Sequence, residues 1–555
     1  MYRISQIKLA LNEPKELLPK KIKKKLGNSI KIKEYKIVKE SIDARDKGDI
    51  KFVYTVDFDV EQRQGTRKIA LKPDPKKNLS IAPDMSYKAP EPGVRELKHR
   101  PVIAGFGPCG IFCALILAQQ GYRPIVLERG KCVSERAEDV QNFWAGGALN
   151  TESNVQFGEG GAGTFSDGKL TTGIKDSRIH KVLSEFVSAG APEEILYKNK
   201  PHIGTDLLRD VVANIREEII RLGGEIRFSS KLVGIDAPSG KIRAVKVQEV
   251  LNGEIYTLET ENLVLAIGHS ARDTFRYAHE LGIQMSAKPF SIGVRIEHPQ
   301  KMVDEAQYGK TKGLPPAEYK LSHRCENGRG VYTFCMCPGG EVIMSSSQEG
   351  GVVTNGMSNH KRDSGTANSG LLVDVRVSDF DGDDALAGVD FQEKYERLAY
   401  KNGGGRYAFP KTCWSKFRDG DEDAKAVIDS LPSFAVESIR EAMPYLGRKL
   451  KGFDDDNAVM KAVETRSSSP VRFFRDDNLQ GSIKGLYPAG EGAGYAGGIT
   501  SAACDGIKVA EKIIEEFCLY CFSSGSSNDR EMNNKPPAMP VRLNGFSEKI
   551  PPMLR

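Results

Sequence analysis

The chain has 555 residues, enough for roughly three domains of the usual ~100–200 residues each. Hydrophobic residues at 39% and charged residues at 28% describe an ordinary globular protein, and a net charge of +6 is mild for this size and singles out no partner. Ten cysteines without a repeating pair spacing argue against a disulfide scaffold and a structural zinc site, so no metal is expected. The longest apolar run, Ile111 to Ala118, is far short of the ~20 residues that span a bilayer, and the N-terminus lacks a secretory apolar core. The expected location is cytoplasmic.

In chain order, residues 2–10 alternate like a strand, and Pro14 to Leu26 reads as a helix stopped by Gly27. Lys31 to Glu40 and Lys51 to Val60 alternate again, giving a small α+β domain of β-α-β-β order. Lys20, Lys21, Lys23, Lys24 and Lys25 make a basic run on its helix. A solvated helix face is the plain reading; an RNA- or phosphate-binding patch is the alternative. Residues 72–99, proline-rich and polar, read as a linker.

Arg100 to Gly130 is the stretch around which the rest is organised. Pro101 to Ala104 suits a buried strand, the turn GFGPCG follows, and an apolar helix runs from about Ile111 to Gln120. Pro124 to Leu127 is a second buried strand, stopping at Glu128. This is a βαβ unit with G-x-G-x-x-G at Gly105, Gly107 and Gly110, the pattern of a dinucleotide site. Gly105 serves the tight turn, Gly107 the approach of a pyrophosphate, and Gly110 close packing of helix on strand. Pro108 and Cys109 lie where the helix opens its free N–H groups toward phosphate. Glu128, about 20 residues on, is placed to take a ribose 2′-hydroxyl, with Arg129 beside it.

A second glycine-rich stretch, FGEGGAGTFSDGKL from Phe157 to Leu170, can press backbone N–H groups against a ligand through Gly160, Gly161, Gly163 and Thr164. A surface loop is its plain alternative. Helical spacing from Leu207 to Leu222 ends at Gly223-Gly224, a strand and a β-meander follow to about residue 260, and Asn262 to Gly268 is another buried strand. Near the end, Gly485 to Ile514 reads as a short strand, the turn Gly490-Glu491-Gly492, a glycine-rich bend, and a helix from about Ile499.

These landmarks together resemble the FAD-binding fold of the glutathione-reductase-like flavoproteins. The resemblance implies FAD. It also implies an acid at Glu491 on the ribityl chain, where that family usually has Asp, and a helix from Ile499 aimed at the flavin pyrimidine edge. Gly490, Gly497 and Gly498 belong to that turn, Gly268 to the mid-chain strand, and Leu232 to the position whose backbone contacts adenine. More closely, NVQFGEGGAGTFSDGKLTT, AIGHSARDT, VYTFCMCPGG, ETRSSSPVR and LYPAGEGAGYAGGITSAA look like signature segments of a family of uncharacterised FAD-dependent dehydrogenases. That resemblance covers nearly the whole chain, from about residue 30 to 517. It implies a cofactor and a fold, not a substrate.

The expected fold class is α/β: a Rossmann-type FAD-binding fold, a large inserted α+β substrate domain, and the small N-terminal α+β domain. Expected boundaries are 1–95 for the N-terminal domain and linker, and 96–275 and 481–521 for the nucleotide fold. The insertion takes 276–480, strands first and mostly helix from Phe391 to Ala462, and 522–555 is a disordered tail rich in Ser, Asn and Pro. The insertion should face the flavin. Cys335 and Cys337, alternating on a strand, should share one face; packing, a flavin-facing thiol pair and, least, a metal are the readings of C-x-C. Cys109 and Cys113 should be buried, and C-x-x-C at Cys518 and Cys521 is incidental. Polar residues expected around the substrate are His269, Arg272, Glu464 and Arg466, with Cys335 and Cys337 behind them; His269 could instead merely cap its turn, and Glu464 merely pair with an arginine.

The function expected is FAD-dependent oxidation or reduction of a small molecule through flavin N5. A second dinucleotide motif is missing, so NAD(P)H would bind transiently or the substrate itself would supply the electrons. The paired C-x-x-x-x-C of disulfide reductases is missing too. An RNA-associated flavoprotein docking through Lys20–Lys25 is the alternative, and a flavin-stabilised scaffold a distant third. Substrate and oligomeric state are not legible.

Overall fold

The computed structural model of the chain describes residues 1–27, 30–60 and 71–519. Cys521 and the Ser/Asn/Pro-rich tail lie outside these residues.

Apolar runs too short for helices, bounded by glycine and proline, form a five-stranded parallel sheet. Its order is Leu486–Pro488, Leu263–Leu265, Val102–Ala104, Ile125–Leu127 and Glu225–Arg227. The first four are buried throughout, which is why they read as apolar triplets rather than as alternation, whereas the edge strand Glu225–Arg227 is half-buried and carries two charged residues. One face is covered by the helix Pro108–Gln119, which is apolar all round and packs between the sheet and the long C-terminal helix Ile499–Glu516. The other face carries the three-stranded meander Ser230–Asp236, Ala244–Glu249 and Ile255–Glu259. The expected mixed α/β class is present in this arrangement.

The N-terminal unit gains a strand. Its sheet runs Ile32–Asp43, Lys51–Val60, Tyr2–Ala10, Leu79–Ile81, so residues 72–99 are not all linker. Leu79 is buried in the core of this unit, which offsets the cost of ordering a polar, proline-rich approach. The remainder of the segment is tied to the nucleotide fold. Tyr87 donates to Glu511, and Arg95–Glu96 pairs in parallel with Phe517–Cys518. The basic helix Leu18–Leu26 spends part of its charge internally: Lys21 pairs with Glu13 and Lys25 donates to the Ser5 carbonyl. The unit docks through its edge strand, where Glu40 and residues 197–199 exchange backbone hydrogen bonds.

The inserted domain is built on a six-stranded antiparallel sheet in the order Ser322–Arg324, Gly330–Cys337, Thr366–Val375, Phe290–Pro299, Val459–Glu464, Lys411–Cys413. Helices Ala387–Asn402 and Ser433–Lys449 cover it around a core of their own. Its limits are narrower than 276–480. Phe275, Ala278, Val471 and Phe473 pack into the meander-side core of the nucleotide fold, and Met285–Ala287 pairs with Val471–Phe473 there. Those flanks belong to the nucleotide fold because their apolar faces are buried against it. Among the described residues, no helix is long and apolar enough to cross a membrane.

Candidate functional site

One cavity of about 860 Å³ lies between the nucleotide fold and the inserted domain, inside the range of small-molecule sites. Its first wall is the G-x-G-x-x-G turn. Gly105 has φ +103°, and a Cβ there would sit 2.3 Å from the Ala266 carbonyl oxygen. A Cβ on Gly110 would sit 1.9 Å from the Gly105 carbonyl oxygen, so helix and strand touch through missing side chains. Gly107 differs. Its Cβ would meet only Gly161 Cα, at 3.8 Å, leaving the space over the helix N-terminus open to a ligand.

Glu128 does more than the sequence suggests. Buried at the strand's end, it accepts hydrogen bonds from the backbone N–H of Phe106 at 2.8 Å and from those of Gly130 and Gly158 at 2.9 Å. One carboxylate thus gathers the first turn, its own loop and the second glycine-rich stretch, and it still lines the cavity. That second stretch is closed by Arg136, unmarked in the sequence reading. Arg136 is fully buried and donates to the carbonyls of Asn154, Val155, Glu159 and Gly161 at 2.6–2.9 Å; burial pulls its pKa down to about 10.

Of the residues expected to hold a dinucleotide, Gly105, Gly107, Pro108, Cys109, Glu128 and Arg129 line the cavity. So do Gly161, Gly163, Leu232, Gly268, Glu491, Gly498 and Ile499. Gly110, Gly160, Thr164 and Gly490 do not. They fold the walls: Gly160 N–H donates to the Phe106 carbonyl, Thr164 to that of Glu159, and Gly490 N–H to Asp505. Gly497 does not line it either: it precedes the Gly498 cap of the C-terminal helix, its N–H donating to Ser501 at 3.1 Å.

The expected substrate residues divide. His269, Cys335, Glu464 and Arg466 line the cavity, whereas Arg272 and Cys337 do not. Arg272 is 1% exposed and grips Glu396 with two donors at 2.7–2.8 Å, while Arg466 grips the same carboxylate from the other side at 2.9–3.0 Å. The two guanidiniums stabilise the carboxylate against burial and hold Glu396 well below the usual range. Arg272 is therefore a structural partner in a buried triad, lining only a smaller neighbouring hollow. Cys337 is displaced because the strand pairing is interrupted between Phe334 and Cys337, so the expected alternation fails.

Two carboxylates face the cavity in different states. Glu464 pairs with fully buried Arg295 at 2.5 and 2.9 Å, yet burial outweighs the pairing and its pKa lies above the usual range. Glu491 is held below its usual value: burial opposes ionisation, but His269 Nδ1 at 3.1 Å, the Gly498 N–H and Lys288 outweigh it. Lys169, Glu318, Lys320 and Tyr332 also line this half, and the sequence reading missed them. Spacing could not have found them, because three separate loops and strands bring them together. Asp167 and Glu318 share Arg362, which fastens the second glycine-rich stretch to the inserted domain.

An uncharacterized protein of Clostridium beijerinckii is 48% identical over 538 residues, covering 93% of this chain and 99% of its own. The chain belongs to that protein's family. Residues 289–467 match the model described as FAD-dependent protein, C-terminal domain-like, nearly the limits that packing gives the insertion. Residues 1–59 match a domain of unknown function. Among solved structures, glycerol-3-phosphate dehydrogenase of Bacillus halodurans complexed with FAD is 14% identical, at TM-score 0.35. That alignment covers 75% of this chain and 64% of the dehydrogenase. A geranylgeranyl bacteriochlorophyll reductase-like protein of Thermoplasma acidophilum is 13% identical, at TM-score 0.33, covering 75% of this chain and 79% of its own. Scores of this size do not establish a shared whole-chain fold.

Proposed function

We propose that the chain is an FAD-dependent oxidoreductase acting on a small molecule that enters between the nucleotide fold and the inserted domain. One observation carries the reading. A single cavity joins the open space over Gly107, the buried acid Glu128 and the cap of the Ile499–Glu516 helix to the polar face of the insertion. The residues fit a dinucleotide. Gly107 to Cys109 and Gly161 would hold the pyrophosphate at a helix N-terminus. Glu128 has lone pairs left for a ribose hydroxyl after its three backbone bonds. Leu232 lies where adenine would rest, and Glu491 and Gly498 would hold the flavin end.

FAD, when bound, supplies the electron and hydride chemistry; the chain supplies position and charge. The C-terminal helix directs its positive end at the cavity, which stabilises negative charge there. Glu464, kept more protonated than a free carboxylic acid, can hold or give a proton on the substrate side, while ionised Glu491 can only accept hydrogen bonds. NAD(P)H, binding transiently, or the substrate itself would supply the electrons. Anaerobic titration of flavin-loaded protein with NADH, NADPH and metabolite pools tests the reading: one of them should bleach the oxidised-flavin band within turnover times. A flavin that none of them reduces, but that dithionite does, overturns it.

A further inference from the structure

Cys335 and Cys337 have no part in the reading above. They end the Gly330–Cys337 strand of the insertion. Regular extended backbone would put their Cα atoms roughly 6.6 Å apart, near the upper end of the roughly 4.4–6.8 Å that a disulfide accepts. The backbone is not regular here. Pairing with Thr366–Val375 breaks between Phe334 and Cys337, and Cys335 takes φ +42°, a conformation that strains a non-glycine residue. With the pairing interrupted, Cys335 lies on the wall of the cavity that Glu491 and Gly498 also line, while Cys337 stays fully buried.

The strained segment is braced. Arg295 Nη1 donates to the Cys335 carbonyl at 3.0 Å, and Cys337 Sγ donates to the same oxygen at 3.4 Å. Both cysteines are free thiols. The neighbouring Cys337 side chain holds the Cys335 thiol below its ordinary value; burial opposes this, and Lys169 and Arg295 add to it. Cys337 moves the opposite way, upward. A thiol on the cavity wall with a second thiol two residues on and buried behind it is the arrangement that dithiol exchange requires.

We propose that Cys335 and Cys337 form a redox pair that closes to a disulfide and exchanges two electrons with the bound flavin. This rests on the FAD reading. In closing, the S–S bond forms and the Cys337 S–H bond breaks; two electrons and one proton pass from the pair to oxidised flavin. In opening, reduced flavin returns both electrons and the proton, restoring the Cys335 thiolate and the Cys337 thiol.

The test uses the full-length, flavin-loaded protein, equilibrated anaerobically in glutathione buffers of graded ratio. The flavin spectrum is read first, and then all thiols are alkylated and the peptide carrying both cysteines is weighed. In the parent, the two alkylation sites should vanish together as the buffer becomes oxidising, leaving a peptide two hydrogens lighter. The flavin band should bleach at the reducing end of the same series. Cys335→Ser and Cys337→Ser should keep their FAD yet leave the band oxidised at ratios that bleach the parent. Cys335→Ser, on the cavity wall, serves alone if the buried variant does not fold. Thiols that stay alkylable at every ratio overturn the pair. A pair that closes while parent and variants bleach alike overturns the exchange. A parent without any flavin band overturns the exchange through the cofactor reading, and that failure is visible before any thiol is touched.

Discussion

The cavity has one wall made of backbone and another made of side chains. On the nucleotide side, glycines at 105, 107 and 161 bring bare peptide groups to the surface, and Glu128 gathers three of their neighbours' N–H groups. On the insertion side, charged side chains reach in from separate strands and are held by buried pairs such as Arg295–Glu464 and Asp167–Arg362. Backbone walls are specific to shape and indifferent to the chemistry of what lies opposite; side-chain walls set the chemistry. The first suits a constant cofactor and the second a particular substrate.

The comparison breaks most sharply at Gly107. Gly107→Val fills the open space over the helix N-terminus, so flavin loading should be abolished while the fold, read by circular dichroism and thermal melting, is kept. Loading that survives would mean that the backbone wall does not hold the phosphates.

Next in size are two buried carboxylates of the insertion, Glu464 on the second wall and Glu396 in the triad beside it, which should respond to pH in opposite directions. The folded pKa of Glu396 lies below its ordinary 4.5, so its stabilisation is present above that value and is lost as pH falls. Glu396→Gln should cost about 3–5 kcal/mol near neutral pH, by leaving Arg272 and Arg466 unpaired, and less in acid. Glu464 has a folded pKa raised above 4.5, so its contribution is fully present below that value and declines as pH rises through the folded value. The loss in Glu464→Gln should therefore shrink with rising pH. Denaturant melts of both variants from about pH 2 to about pH 8, at roughly unit steps, check the two slopes; parallel slopes would contradict the assignment.

Smaller again is the effect at Gly498, the cap of the C-terminal helix, where nothing lies within 4 Å of an added Cβ. Gly498→Val should hold FAD but lower its reduction potential by some tens of millivolts, with 30 mV corresponding to about 1.4 kcal/mol, because the helix end is kept away from the developing charge. The smallest effect is expected far from both walls. Lys20→Glu with Lys24→Glu alters two exposed side chains of the N-terminal helix and should leave flavin content unchanged and stability within about 0.5 kcal/mol.

The backbone wall was legible because its parts are contiguous. Gly105, Gly107, Gly110 and Glu128 fall within one βαβ unit, where each residue type has one geometric use. Arg136 escaped notice because an arginine on an amphipathic helix reads as solvated, and its partners are carbonyls, which leave no trace in sequence. The side-chain wall was half legible. Glu464 and Arg466 were found with a resembling segment, but Arg272 was misplaced, since a triad with Glu396 depends on tertiary contacts more than 120 residues apart in sequence. Cys335 and Cys337 were read by strand alternation, which a single bulge defeats.

The central claim is that the cavity is a dinucleotide–flavin site, and the most direct measurement is the identity and amount of flavin released from purified full-length protein. Denatured protein should release one FAD per chain, intact as the dinucleotide, with Gly107→Val prepared in parallel releasing none. A colourless parent, or a parent whose released flavin is FMN, would contradict the account, because it assigns Glu128 and Leu232, both on the cavity wall, to the adenosine half.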